Sequence, residues 1–142
     1  MQPSPRRAVA MFSELDDYLS LEFLPDYWYD VGTGVASAML ICFDNAAWDA
    51  LIEQCVSRPA AWQVRCAEIM DLVPHPAAEK ICVKLMSTDS GDVVVAAADS
   101  LRFIPGAHFP EGAAGRLGAI SADGSPPVRA VLAEVLARFS EQ

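Results

Sequence analysis

Apolar residues fall in short blocks along this chain, separated by Pro, Gly, Asp and Ser, and from residue 44 onward each block has the length and punctuation of one helix. Asp44 or Asn45 caps a helix predicted to run to about Ser57, and Pro59 opens another to about Leu72. Pro76 opens a third, to about Ser87. The polar run Thr88 to Asp92 reads as a turn ending in an N-cap aspartate, from which Val93 to Phe103 forms a helix stopped by Pro105 and Gly106. Pro126 and Pro127 open the last helix, to about Phe139. The pattern predicts one all-α domain over 1–142. Its parts are an N-terminal helical extension and aromatic loop (1–34), helical hairpins (35–103), a Gly-rich irregular segment (104–125) and a C-terminal helix (126–142). Within the irregular segment, residues 113–120 are either a short helix or a loop.

The blocks also resemble one another. Val64, Ala67, Ile69 and Leu72 superimpose on Val93, Ala96, Ala98 and Leu101 at an offset of 29, and stepping back by the same amount reaches Val35, Ala38, Leu40 and Phe43. The second helices match at an offset of 30, with Leu51, Cys55 and Val56 over Ile81, Leu85 and Met86. A period of about thirty residues is the mark of stacked helical hairpins. Trp62, Val64, Arg65, Ala67 and Leu72, followed by a Pro-bounded second helix and an Asp-rich turn, resemble HEAT and HEAT-like repeats. The resemblance covers about 35–103 well and 126–139 loosely. It implies a short α-solenoid of antiparallel hairpins, with an irregular helical bundle as the alternative. The arginine that ties such repeats together is present at Arg65 and Arg129 and replaced by Val94 between them.

Charge changes the picture more than composition does. The chain is 53% hydrophobic and 20% charged, which is globular, and its net charge is −9. Between Ala8 and Ser57 stand nine acids (Glu14, Asp16, Asp17, Glu22, Asp26, Asp30, Asp44, Asp49, Glu53) and no Lys or Arg; from Arg58 onward ten acids face eight basic residues. Such a field repels nucleic acid and attracts basic partners. The longest apolar stretch, Val35 to Phe43, is about half the length a bilayer requires. After Arg6 and Arg7, the run Ala8 to Phe12 is too short for a secretory h-region, so a cytoplasmic protein is expected.

No motif for catalysis stands out. The four cysteines (42, 55, 66, 82) form no C-x-x-C clip and sit in apolar blocks as buried thiols would. His75 and His108 lack the partners of a metal or catalytic histidine, and the glycines lack a phosphate-binding context. Neither a cofactor nor an enzymatic activity is expected. The segment Asp26, Tyr27, Trp28, Tyr29, Asp30 differs from these. One helix face cannot bury all three rings, so at least one is expected to stand exposed beside carboxylates, as a hot spot for a cationic partner or as a cap on the end of the stack. Asp49 and Glu53, one turn apart, form an acidic stripe, while Trp48 and Trp62 read as core.

A small acidic repeat domain with these features resembles the immunity proteins that neutralise bacterial toxins, including those of contact-dependent inhibition. The resemblance implies a protein partner, such as a basic nuclease domain of a toxin, covered by an acidic surface through Asp26, Tyr27, Trp28, Tyr29, Asp30, Asp49 and Glu53. The alternatives are a HEAT-like adaptor or regulatory scaffold, and an accessory subunit of an enzyme.

Overall fold

The computed structural model describes residues 5–140, so the outermost parts of the segments expected at 1–34 and 126–142 lie outside the described residues. All regular structure in it is helical: α1 (Pro5–Leu19), α2 (Pro25–Tyr27), a π turn (Trp28–Gly32), α3 (Thr33–Ile41), α4 (Asn45–Gln54), α5 (Ala60–Ile69), α6 (Pro76–Leu85), α7 (Gly91–Leu101), α8 (Ala113–Asp123) and α9 (Pro126–Phe139). No helix among the described residues is long and apolar enough to cross a membrane.

Local chemistry sets most boundaries. The Asp44 carboxylate accepts the Ala47 N–H at 2.8 Å and starts α4. Pro76 sits at the first position of α6, and His75 Nδ1 accepts the Ala77 N–H at 3.0 Å. Helices α4 and α5 each tighten into a 3₁₀ turn, Cys55–Ser57 and Met70–Leu72, and so reach the ends expected from sequence. Two expectations need correction, and the alternative left open at 113–120 resolves to a helix. The N-cap of α7 is Ser90, whose hydroxyl faces the Val93 N–H, and Asp92 lies inside the first turn. The aromatic segment is no loop: α2, the π turn and α3 follow one another without a break, because Pro25 starts the helix and nothing interrupts it before Cys42. The Gly-rich segment 104–125 contains α8, entered through Gly112 at φ 80°, a left-handed conformation that favours glycine.

The helices pack in two rows. Successive neighbours in one are α3, α5, α7 and α9; in the other α1 packs on α4 and α4 on α6, while α8 packs on α7 and α9. Helix α1 shows how the core is built. Ala8, Phe12, Leu15 and Leu19 repeat at helical spacing and are buried, whereas the intervening Ser13, Glu14 and Asp17 are exposed.

Burial recurs between α5 and α7, but not in the register that residue types predict. In α5 the buried side chains are Trp62, Gln63, Cys66, Ala67 and Ile69, continued by Met70; in α7 they are Val93, Val94, Ala97, Ala98, Ser100 and Leu101, each 31 residues later. The offset of 29 put Leu72 on Leu101, yet Leu72 is exposed and Leu101 fully buried. For α4 and α6 burial recurs at the expected offset of 30 for Leu51 and Cys55 over Ile81 and Leu85, and also for Ala47 and Trp48 over Ala77 and Ala78. The expected match of Val56 with Met86 fails, since Val56 is exposed and Met86 buried.

Several polar side chains in or beside the core join neighbouring elements, whereas the Tyr18 hydroxyl and Asp44 Oδ2 are buried without a hydrogen-bond partner among the described residues. Buried Gln63 donates through Nε2 to the Cys55 carbonyl at 2.9 Å, and buried Ser100 donates to the Ala67 carbonyl, joining α7 to α5. Lys84 Nζ donates to the Ile52 carbonyl at 2.7 Å, joining α6 to α4.

Candidate functional site

The acidic N-terminal stretch occupies α1 to α4, and sorting its nine carboxylates by what they touch separates the structural from the available. Asp16 receives a two-pronged hydrogen bond from Arg58, Nε to Oδ1 at 2.8 Å and Nη2 to Oδ2 at 2.9 Å. Asp44 caps α4. The remaining seven, Glu14, Asp17, Glu22, Asp26, Asp30, Asp49 and Glu53, are exposed. Helix α5 holds this region in place. Besides the Arg58 pair preceding it, Trp62 Nε1 donates to the Asp16 carbonyl at 3.3 Å, and Arg65 Nη1 donates to the carbonyls of Leu19 at 2.8 Å and Leu21 at 2.7 Å. Arg65 thus caps the C-terminal end of α1, and its guanidinium lies 5.1 Å from the centre of the Phe23 ring.

The three consecutive aromatics divide as sequence reasoning requires, with two rings out. Trp28 is 3% exposed, Tyr27 47% and Tyr29 60%. Trp28 is therefore corrected from a partner-binding residue to a core residue: its ring packs on Phe23, and its indole N–H donates to Glu68 Oε1 at 3.2 Å. Tyr29 donates its hydroxyl to Glu68 Oε2 at 2.6 Å. The π turn makes this possible. Its extra residue per turn swings two adjacent side chains onto one carboxylate of α5. Gly32 completes the arrangement, since a Cβ there would stand 2.5 Å from Trp28 Cε3.

Glu68 was not singled out from the sequence, although a buried Trp and a neighbouring Tyr require acceptors and α5 contains one acid within its apolar pattern. Burial pushes the Glu68 carboxyl above the usual range, against the opposing pull of its hydrogen bonds to Tyr29 and Trp28. The same bond to Glu68, with burial, raises Tyr29 to about 12. Asp71 is likewise raised by burial.

The expected site residues lie on separate elements. Asp26, Tyr27, Tyr29 and Asp30 lie on α2 and the π turn, which join the row of α3 and α5; Asp49 and Glu53 lie on α4, in the other row, with α1 packed against both α3 and α4. Trp48 and Trp62 are core, as expected, and Trp48 stacks on the His75 ring at 4.5 Å. Cys55, Cys66 and Cys82 are buried, while Cys42 is exposed, contrary to the expectation for all four, because α3 ends one residue before it. Burial raises the pKa of the three inner thiols. Among the described residues no cluster of three or more His, Cys, Asp and Glu side chains is placed to hold a metal ion. No protein-family model matches the chain, and neither a curated protein nor a solved structure shows significant similarity to it.

Proposed function

We propose that this chain is a protein-binding module that engages a basic partner through its N-terminal end, α1 to α4, while α5 to α9 serve as scaffold. The supporting observation is the segregation of charge: seven exposed acids and no Lys or Arg between Ala8 and Ser57. Such a surface accelerates association with a cationic protein and discriminates against anionic ones, including nucleic acid. The two rows of helices, with burial repeating every 30 or 31 residues, support reading the scaffold as a short HEAT-like solenoid. Within this frame the chain acts as a cytoplasmic immunity protein. It neutralises a bacterial toxin with a basic nuclease domain by covering the active site with acidic surface. Asp26, Tyr27, Tyr29, Asp30, Asp49 and Glu53 form the contact, and Trp28 supports it from within.

Co-expression with a toxin encoded beside this chain tests the reading. Rescue of growth and co-purification of a complex that weakens with salt are expected. A neighbouring toxin that kills undiminished and leaves the chain unbound overturns it. A salt-independent complex made through residues after 100 also overturns it.

A further inference from the structure

Helix α3 carries no charged residue, and its only polar side chains are Thr33 and Ser37, whose hydroxyls donate to backbone carbonyls of the preceding turn. Ala36 and Leu40 face the core, yet Val31, Gly34, Val35, Ala38, Ile41 and Cys42 are all exposed and continue one uncharged stripe at helical spacing. A helix of this kind is normally enclosed, whereas α3 is the terminal member of its row, packed on α1, α5 and the π turn. Beside the stripe, α1 and α3 form a groove of about 410 Å³ lined by Met11, Glu14, Val35, Ala38, Met39 and Cys42, together with Phe43. Methionine walls adapt readily to an incoming apolar surface.

Charge selects the occupant. Glu14 lies in the groove, Asp17 follows it by three residues on α1, and Asp30 stands at the start of the stripe; all three are exposed. The cations of α1, Arg6 and Arg7, precede Met11 by about a turn, and no other Lys or Arg occurs before Arg58, which is engaged by Asp16. A second copy of this chain would set acids against acids, so a cationic occupant is favoured. We propose that the α1–α3 groove receives a cationic amphipathic helix of a partner protein. Its apolar face covers Val35, Ala38 and Met39, and its Lys or Arg residues meet Glu14, Asp17 and Asp30. This rests on the reading of a basic partner and adds an apolar anchor to it.

Cys42 supplies the readout, being the exposed thiol and lying in the groove. The full chain is treated with a thiol-specific reagent in the presence of a synthetic Leu/Lys peptide of about five helical turns, or of its Leu/Glu counterpart. The Leu/Lys peptide is expected to slow Cys42 modification about tenfold, less so at high salt, and the Leu/Glu peptide not at all. Val35→Lys with Ala38→Lys, both at exposed positions, removes the protection; Leu72→Lys, exposed elsewhere, leaves it. Absence of protection, equal protection by both peptides, or equal protection in the groove variant overturns the proposal, as does protection that rises with protein concentration alone. If the toxin complex forms normally with the groove variant, the groove assignment fails while the acidic-surface reading stands.

Discussion

Helices α3 and α5 are neighbours in the same row; α3 carries no charged residue and α5 carries Arg65 and Glu68, yet α5 is the more enclosed of the two. Helix α5 has a helix of its row on either side. It buries Trp62, Gln63, Cys66, Ala67 and Ile69, and its charged residues Arg65 and Glu68 are engaged by the N-terminal segment. Helix α3 has one row neighbour and buries Ala36 and Leu40, leaving Ile41 69% exposed. Residue type alone does not distinguish a helix that holds the fold together from one that presents a surface. Position in the row does, and the stability effects of substitutions should divide accordingly.

The largest contrast is expected between two isoleucines. Ile69→Ala removes a fully buried side chain and should destabilise by about 2–5 kcal/mol, whereas Ile41→Ala should change stability by less than about 0.5 kcal/mol in denaturant unfolding. Comparable losses at both sites would mean that α3 is as deeply embedded as α5. Next comes a pair of glycines. Gly32→Ala drives a Cβ into the Trp28 ring and should cost about 1–3 kcal/mol, outweighing the helix-propensity gain of up to about 1 kcal/mol. Gly34→Ala meets nothing within 4 Å and should stabilise by up to about 1 kcal/mol, so the two thermal midpoints should move in opposite directions.

A smaller effect concerns the link between the two regions. Tyr29 is raised from 10 to about 12 mainly by its bond to Glu68, so the folded state retains that proton where the unfolded chain loses it. Stability contributed by Tyr29 is therefore present below pH 10 and is lost as the pH climbs towards 12. For Glu68 and Asp71, also raised, stability falls as the pH rises through the window from the ordinary carboxyl value to the folded one. Ultraviolet titration, taken as the difference from Tyr29→Phe, should place Tyr29 near 12, and Glu68→Gln should bring it back towards 10. An unmoved titration would show that Glu68 does not hold the tyrosine.

Much of the fold was legible because its boundaries are written in local chemistry: Asp44, Pro76 and Pro126 start helices where their capping and ring geometry dictate. The register between α5 and α7 was not, because matching residues by type aligned Leu72 with Leu101. The structure conserves burial instead, and pairs Ile69 with Ser100 and Met70 with Leu101. The candidate site was legible in its charge and in its exposed Tyr27 and Tyr29. The internal role of Trp28 was hidden because its acceptor, Glu68, is distant in sequence and reached only through the π turn. The groove on α3 was hidden for a related reason: an apolar block reads as core until its neighbours are known.

The central claim, that the N-terminal end is the binding end, is tested most directly by matched charge reversal. Association of the basic partner with the chain carrying Asp26→Lys, Asp30→Lys, Asp49→Lys and Glu53→Lys is compared with that of a chain carrying Asp89→Lys, Asp92→Lys, Glu111→Lys and Asp123→Lys. All eight positions are exposed. The first set should slow association by about tenfold or more and flatten its salt dependence, while the second leaves both near the parent values. Equal effects of the two sets, or a greater effect of the second, would contradict the claim.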